Sequence, residues 1–87
     1  MQTAFILLAQ YDGKAIIPLE LICRDYFAPL TVPEFVRKTM AGEISLPVVR
    51  MYSSQKAAKG VHLKDLASYL DEQAEKARKE AAQLRKH

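Results

Sequence analysis

Apolar positions recur at helical spacing in the middle of the chain. Leu19, Ile22, Cys23, Tyr26 and Phe27 stand at i, i+3, i+4, i+7 and i+8, one face of a helix opening at Pro18, where the missing N–H costs nothing. Ala28-Pro29-Leu30 breaks the period. Thr31 then starts a capping box with Glu34, and Pro33 is tolerated in that first turn. This second helix is predicted to run to about Ala41 and to stop at Gly42. Phe35, Val36 and Met40 are its expected core residues, while Glu34, Arg37, Lys38 and Ala41 share the opposite stripe. Two short amphipathic helices joined by a turn of about three residues form a helix-turn-helix.

The pattern changes after Gly42. Ile44 to Met51 is predicted as a strand, with Pro47 at an edge or unpaired position. Tyr52 to Gly60 is polar, basic and too long for a tight turn, and Val61 and Leu63 resume the alternation as the returning strand. From Lys64 a long helix is predicted almost to the end, with Leu66, Leu70, Ala74, Ala77, Ala81 and Leu84 as its apolar stripe. Glu72 with Lys76 and Glu75 with Lys79 are expected i, i+4 pairs, and Arg85, Lys86 and His87 complement the negative helix end. Its first turns are expected to pack on the core and the rest to form a solvated tail or a weak self-association surface.

At the N-terminus, Thr3 can cap a helix through Phe5, Leu8 and Tyr11, ended by Gly13. Asp12-Gly13 is also a hairpin signal, so a strand is the alternative; the absence of period-2 alternation favours the helix. Ala15 to Ile17 is expected as a short strand ending at Pro18. The whole pattern predicts an α+β fold: a small winged helix-turn-helix, which resembles the MerR and excisionase type, with a short N-terminal and a long C-terminal helix, as a single domain over residues 1–87.

Charge sharpens this expectation. The net charge is only +3, but its distribution is uneven. Residues 1–49 hold four basic and five acidic side chains, and residues 50–87 hold nine basic and five acidic. Between Arg50 and Lys64 there are four basic residues and no acid, a local field that attracts a polyanion. An incidental lysine-bearing surface loop is the competing explanation, and fifteen residues without an acid weigh against it. Apolar residues make up 49% of the chain, which argues against disorder. The apolar run Ala4 to Ala9 has no basic leader and is far shorter than the roughly 20 residues of a membrane span, so the expected location is the cytoplasm.

The candidate contacts follow from double-stranded DNA as the partner. Arg37 can donate two hydrogen bonds to guanine, Lys38 can bind guanine or phosphate, and Glu34 shares their stripe. Thr31 and the start of its helix suit a phosphate. In the wing, Lys56 and Lys59 can neutralise phosphates, Ser54 and Gln55 can hydrogen-bond, and Arg50 lies at the strand end beside them. For Arg37 and Lys38 alone, a solvated helix face is the commoner explanation, and their place between a helix-turn and a basic hairpin reverses the preference.

Catalytic chemistry has little support. Cys23 is the only cysteine and lies on an apolar helix face as an expected core residue. His62 and His87 are too far apart in sequence for zinc-type spacing, and His62 is expected to face solvent beside the wing. Ser53 and Ser54 lack an evident base, and no glycine-rich phosphate loop occurs. Neither an enzyme, a cofactor nor a metal is expected.

The chain resembles the pyocin activator protein (PrtN) family. The likeness rests on Thr3-Ala4-Phe5 with Leu7-Leu8-Ala9-Gln10-Tyr11, Ile17-Pro18-Leu19-Glu20 and Asp25-Tyr26-Phe27, then Gly42-Glu43-Ile44 and Leu46-Pro47. It continues through Arg50, Ser54-Gln55-Lys56, and Val61 with Asp65-Leu66-Ala67, the Ser-Gln-Lys tripeptide being the most specific part. The resemblance implies a DNA-binding transcriptional activator of bacteriocin or prophage genes that binds a promoter-proximal element, with RNA polymerase as a further partner. It assigns no catalytic residue, and activation rather than repression rests on it alone. The architecture is also similar to excisionase and phage Cox-type winged helices, which leaves an architectural DNA-bending factor as the alternative. A protein-interaction module without DNA binding, using the N-terminal segment and the C-terminal helix, is the third. A homodimer through the C-terminal helix suits a small module, because one copy buries little DNA surface.

Overall fold

The computed structural model describes residues 2–85 of the 87. The elements are α1 (Gln2–Gln10), β1 (Ile16–Pro18), α2 (Leu19–Tyr26), α3 (Val32–Met40), β2 (Val49–Arg50), β3 (Lys59–His62) and α4 (Leu63–Arg85). Helix, strand, helix-turn-helix, hairpin and long helix make a small α+β, winged-helix-like fold. Its antiparallel sheet has the order β1-β3-β2, so the first strand closes the hairpin from the side opposite β2.

The N-terminal run is a helix, and Thr3 is not its cap. Thr3 lies inside α1, and its hydroxyl donates to Asp71 Oδ1 at 2.6 Å, fixing the start of α1 to the middle of α4. The other end of α1 leads to Ala15, whose carbonyl accepts from Leu63 N–H at 2.8 Å, so α1 lies antiparallel along the first half of α4. Only Leu7 of α1 is buried, while Phe5 and Ile6 are 70% and 65% exposed. The helix is apolar on nearly every side, which is why its sequence shows no clean period. It ends at Asp12 and Gly13, both at positive φ, with Gly13 N–H closing back on Leu8 C=O.

The strand expected at Ala15 to Ile17 lies one residue later and includes Pro18. Pro18 is tolerated because β1 is an edge strand, and it also serves as the N-cap of α2. In α2, Leu19, Ile22 and Cys23 are buried as their spacing predicts, and burial pushes the Cys23 thiol pKa up. The turn to α3 spans residues 27–31. Phe27 packs edge-on against Phe35, ring centroids 4.9 Å apart, and tilts against Tyr69 at 5.7 Å, so this turn residue couples the helix-turn-helix to α4.

Three further expectations fail. Ile44 to Met51 is not one strand, because only Val49 and Arg50 pair. The N–H groups of Glu43 and Ile44 close onto Lys38 C=O and that of Leu46 onto Ile44 C=O, while Pro47 has none to give; Ile44 and Leu46 anchor the segment by burial instead. Met40 is not core: it is 79% exposed, because the buried side of α3 is centred on Phe35 with Val32, Val36 and Thr39 beside it. In α4 neither expected i, i+4 pair forms among the described residues, and Glu75 pairs with Arg78 at 3.2 Å. Lys86 and His87 lie outside the described residues.

α4 begins as a core helix and ends as a free one. Leu63, Leu66 and Ala67 are buried and Leu70 and Ala74 half-buried, whereas Ala77, Ala81 and Leu84 are exposed. His62 is its N-cap and does not simply face solvent. Its Nδ1 accepts from Lys64 N–H at 3.1 Å, as a capping side chain does for the second helical residue.

Candidate nucleic-acid interface

The start of α3 is held by the reciprocal box its sequence predicts. Thr31 Oγ1 accepts from Glu34 N–H at 3.3 Å, and Glu34 Oε1 accepts from Thr31 N–H at 2.8 Å and from the Thr31 hydroxyl at 3.0 Å. These bonds from Thr31 hold the Glu34 carboxyl below its usual pKa, so it stays anionic at the helix start. Pro33 has no N–H, which leaves Val32 as the donor of that turn not engaged by the box. Thr31 and Glu34 therefore set the angle and start of α3, and a phosphate arriving there meets a carboxylate first.

Past this turn, the exposed side of α3 carries Arg37 and, three residues on, Met40. Arg37 makes no ion pair among the described residues. Lys38 lies on the flank, paired with Glu43 at 3.1 Å, and its carbonyl receives the N–H groups of Glu43 and Ile44 as the helix ends at Gly42. Arg37 is thus the free cation of α3, and Lys38 is engaged in ending it.

The hairpin brings Arg50 and Lys59 together. Lys59, expected in the loop, is the first residue of β3 and the register partner of Arg50. Met51 N–H donates to Ala58 C=O at 3.1 Å, so Arg50 and Lys59 form the adjacent non-hydrogen-bonded pair, in which facing side chains stand closest. Like charges opposite one another disfavour the ladder. Among the described residues neither has an acidic partner; Lys59 Nζ turns to Gln55 C=O at 2.8 Å. An anion placed between them relieves this repulsion.

The wing is more ordered than a polar loop of its composition suggests. Ala57 is buried to 4% exposure, in a groove lined also by Ile16, Pro18, Leu19, Val32 and Met51. A turn is closed by Ala57 N–H on Ser54 C=O, and Ser54 Oγ accepts from Lys56 N–H. The Ser54 hydroxyl hydrogen remains available to a phosphate. Gln55 and Lys56 project to solvent at the tip.

α3 and the hairpin share one groove. Val36, Thr39 and Met40 line it from the helix, Pro47 and Val48 from the segment between, and Arg50 and Lys59 from the ladder. Arg50 also lines the adjoining depression with Tyr52, Ser53, Ser54 and Gln55. A continuous strip therefore runs from Met40 past the two facing cations to the wing tip. It unites Arg50, Ser54, Gln55 and Lys59 and leaves Thr31 and Glu34 at the far end of α3.

Met40 and Tyr52, 79% and 62% exposed, are the strip residues that sequence reasoning missed. The i, i+3 relation of Arg37 to Met40 was the available signal for the first. For the second it was an aromatic residue in a run otherwise polar and basic. Among the described residues no group of three His, Cys, Asp or Glu side chains gathers to hold a metal, and no helix is long and apolar enough to cross a membrane.

A family model described as "Pyocin activator protein PrtN" matches residues 3–77, from the first turn of α1 to the middle of α4, and so contains the whole strip. No curated protein and no solved structure matches the chain.

Proposed function

The chain belongs to the pyocin activator protein PrtN family, and from that premise we propose that it is a sequence-specific double-stranded DNA-binding regulator activating pyocin-like or prophage genes. The observation that carries the reading is the facing pair Arg50 and Lys59 in a groove shared with α3, a concentration of cationic charge without an acidic partner among the described residues. In this reading α3 enters the major groove. Arg37 reads guanine O6 and N7, and Met40 beside it gives an apolar contact suited to a thymine methyl. Arg50, Lys56 and Lys59 neutralise backbone phosphates, with Ser54 and Gln55 bonding to phosphate or sugar. Thr31, Glu34 and Lys38 act by fixing the ends of α3.

Footprinting upstream of the pyocin-like or prophage cluster neighbouring its gene tests the reading, combined with a salt titration of affinity. With three cations on phosphates, log K is expected to fall with log salt at a slope of about −3. No protected site, or no salt dependence, overturns the proposal.

The exposed Tyr52 and Met51, 62% and 60%, favour a second reading on the same surface, an architectural factor whose wing wedges into the minor groove and bends the duplex. Circular-permutation gel shifts separate the two, since a wedge gives a large bend that Tyr52→Ala reduces.

A further inference from the structure

Among the described residues, the large exposed apolar side chains away from α3 and the hairpin are Phe5, Ile6 and Leu8 on α1 and Leu84 at the end of α4. The side of α4 that buries Leu63 and Leu66 continues as Ala74, Ala77, Ala81 and Leu84, and Thr3 ties the start of α1 to Asp71, where α4 leaves the core. From Asp71 to Arg85 the helix extends about 22 Å, and the molecule is correspondingly long, 52 Å against 29 and 19 Å.

Charge along this free end is segregated. Asp71, Glu72 and Glu75 lie nearest the core, and Lys76, Arg78, Lys79 and Arg85 lie beyond them with Glu80 the one acid among them. The apolar positions are close to palindromic about Ala77, with Leu70 and Leu84 at the ends and Ala74 and Ala81 between.

We propose that this surface binds a second copy of the same chain, the two α4 ends packing antiparallel about a two-fold axis near Ala77. The acidic stretch of each helix then faces the basic stretch of the other, whereas a parallel arrangement sets like-charged stretches side by side. Leu84 of the second copy reaches the Thr3–Asp71 junction, beside the exposed Phe5 and Ile6. Both copies use the same patch, so the contact closes as a dimer. The alanine layers bury little area, which makes the association reversible and salt-sensitive. This dimer does not depend on DNA binding.

Sedimentation equilibrium of the full chain without DNA, from micromolar to millimolar protein at low and high salt, tests the proposal. A reversible dimer that weakens with salt is expected. Leu84→Glu is expected to weaken it at least about tenfold with unchanged helicity, and Arg85→Glu, which reverses the charge opposite the Asp71 end of the other copy, to weaken it by a smaller factor. Cross-linking fixes the orientation, using Ala74→Cys and Ala81→Cys, each in a Cys23→Ala background. The expected disulfide forms between the two variants when mixed and not within either alone. A monomer at every concentration, indifference to Leu84→Glu, or disulfides within each variant alone overturns the proposal. Loss of footprinting with the dimer intact would count against DNA binding only.

Discussion

Two polar regions of this small molecule use their charges in opposite ways. At the junction of α1 and α2, Asp25 is saturated. It accepts from the Tyr11 hydroxyl at 2.6 Å and from Arg24 through two nitrogens at 2.7 and 3.0 Å, while Gln10 adds a longer contact and accepts from the Tyr26 hydroxyl at 2.8 Å. Hydrogen bonds from Arg24 and Tyr11 hold its carboxyl down at about 2, and burial together with the bond to Asp25 pushes the Tyr11 phenol up. On the α3–hairpin surface, Arg37, Arg50, Lys56 and Lys59 have no acidic partner among the described residues, and two of them face each other. A saturated cluster stabilises the fold it belongs to. Unpaired, facing cations are destabilising within the chain and become favourable only when an anion arrives from outside.

The change with the largest expected effect removes the strand that both regions lean on. Gly60 lies in β3 between β1 and β2, and a Cβ there would come within 2.5 Å of Ile17 O and 2.6 Å of Ile16 Cγ2. One contact is with backbone, so β1 must move. Gly60→Ala is expected to cost more than about 2 kcal/mol in urea unfolding, and Gly60→Val more.

Next, Arg50→Ala combined with Lys59→Ala separates the two uses of charge. DNA affinity should fall at least about tenfold and the salt slope become less negative by about 2, while urea stability stays level or rises by a few tenths of a kcal/mol. Lower stability with unchanged affinity would place these cations with the saturated kind.

Asp25→Asn is the mirror experiment. It should cost on the order of 1 kcal/mol through weakened hydrogen bonds and leave the salt slope alone. Because the folded-state pKa of Asp25 is depressed to about 2, its contribution is complete above the ordinary carboxylate range and is lost as pH falls towards that value. Acid unfolding of the Asn variant is therefore expected to be less steep below about pH 4 than that of the parent. The smallest effect is at the cap of α4, where His62→Ala should lose about 0.5–1 kcal/mol and His62→Ser recover it.

Periodicity made the helix-turn-helix legible, because α2 and α3 each present one buried face and carry their own boundaries, Pro18 before the first and Thr31 with Glu34 and Gly42 around the second. The acid-free run from Arg50 to Lys64 located the cationic surface. Met40 was misplaced because two helical faces were available to it, and only the position of Phe35 against Phe27 selects between them. A lysine beside a glycine carries no strand signal, so the strand position of Lys59 follows only from the register of β3 with Val49 and Arg50 and from the close approach of Gly60 to β1. The Asp25 cluster left no pattern, since its members come from α2 and from the end of α1 with the turn residue after it, and meet only after folding.

The sequence alone therefore determined what local chemistry specifies: the four helices, the cap of α3, the sign of the charge on the second half, and the buried faces of α2 and of the first half of α4. Tertiary structure decided which charges meet. Arg50 faces Lys59 because β2 and β3 pair in one register, Lys38 meets Glu43 because the chain turns back after Gly42, and Thr3 reaches Asp71 because α1 lies antiparallel on α4. Hydrophobic period and capping act within a few residues of one another and are written in the chain. Partnership between charges depends on distances across the fold, which only packing sets.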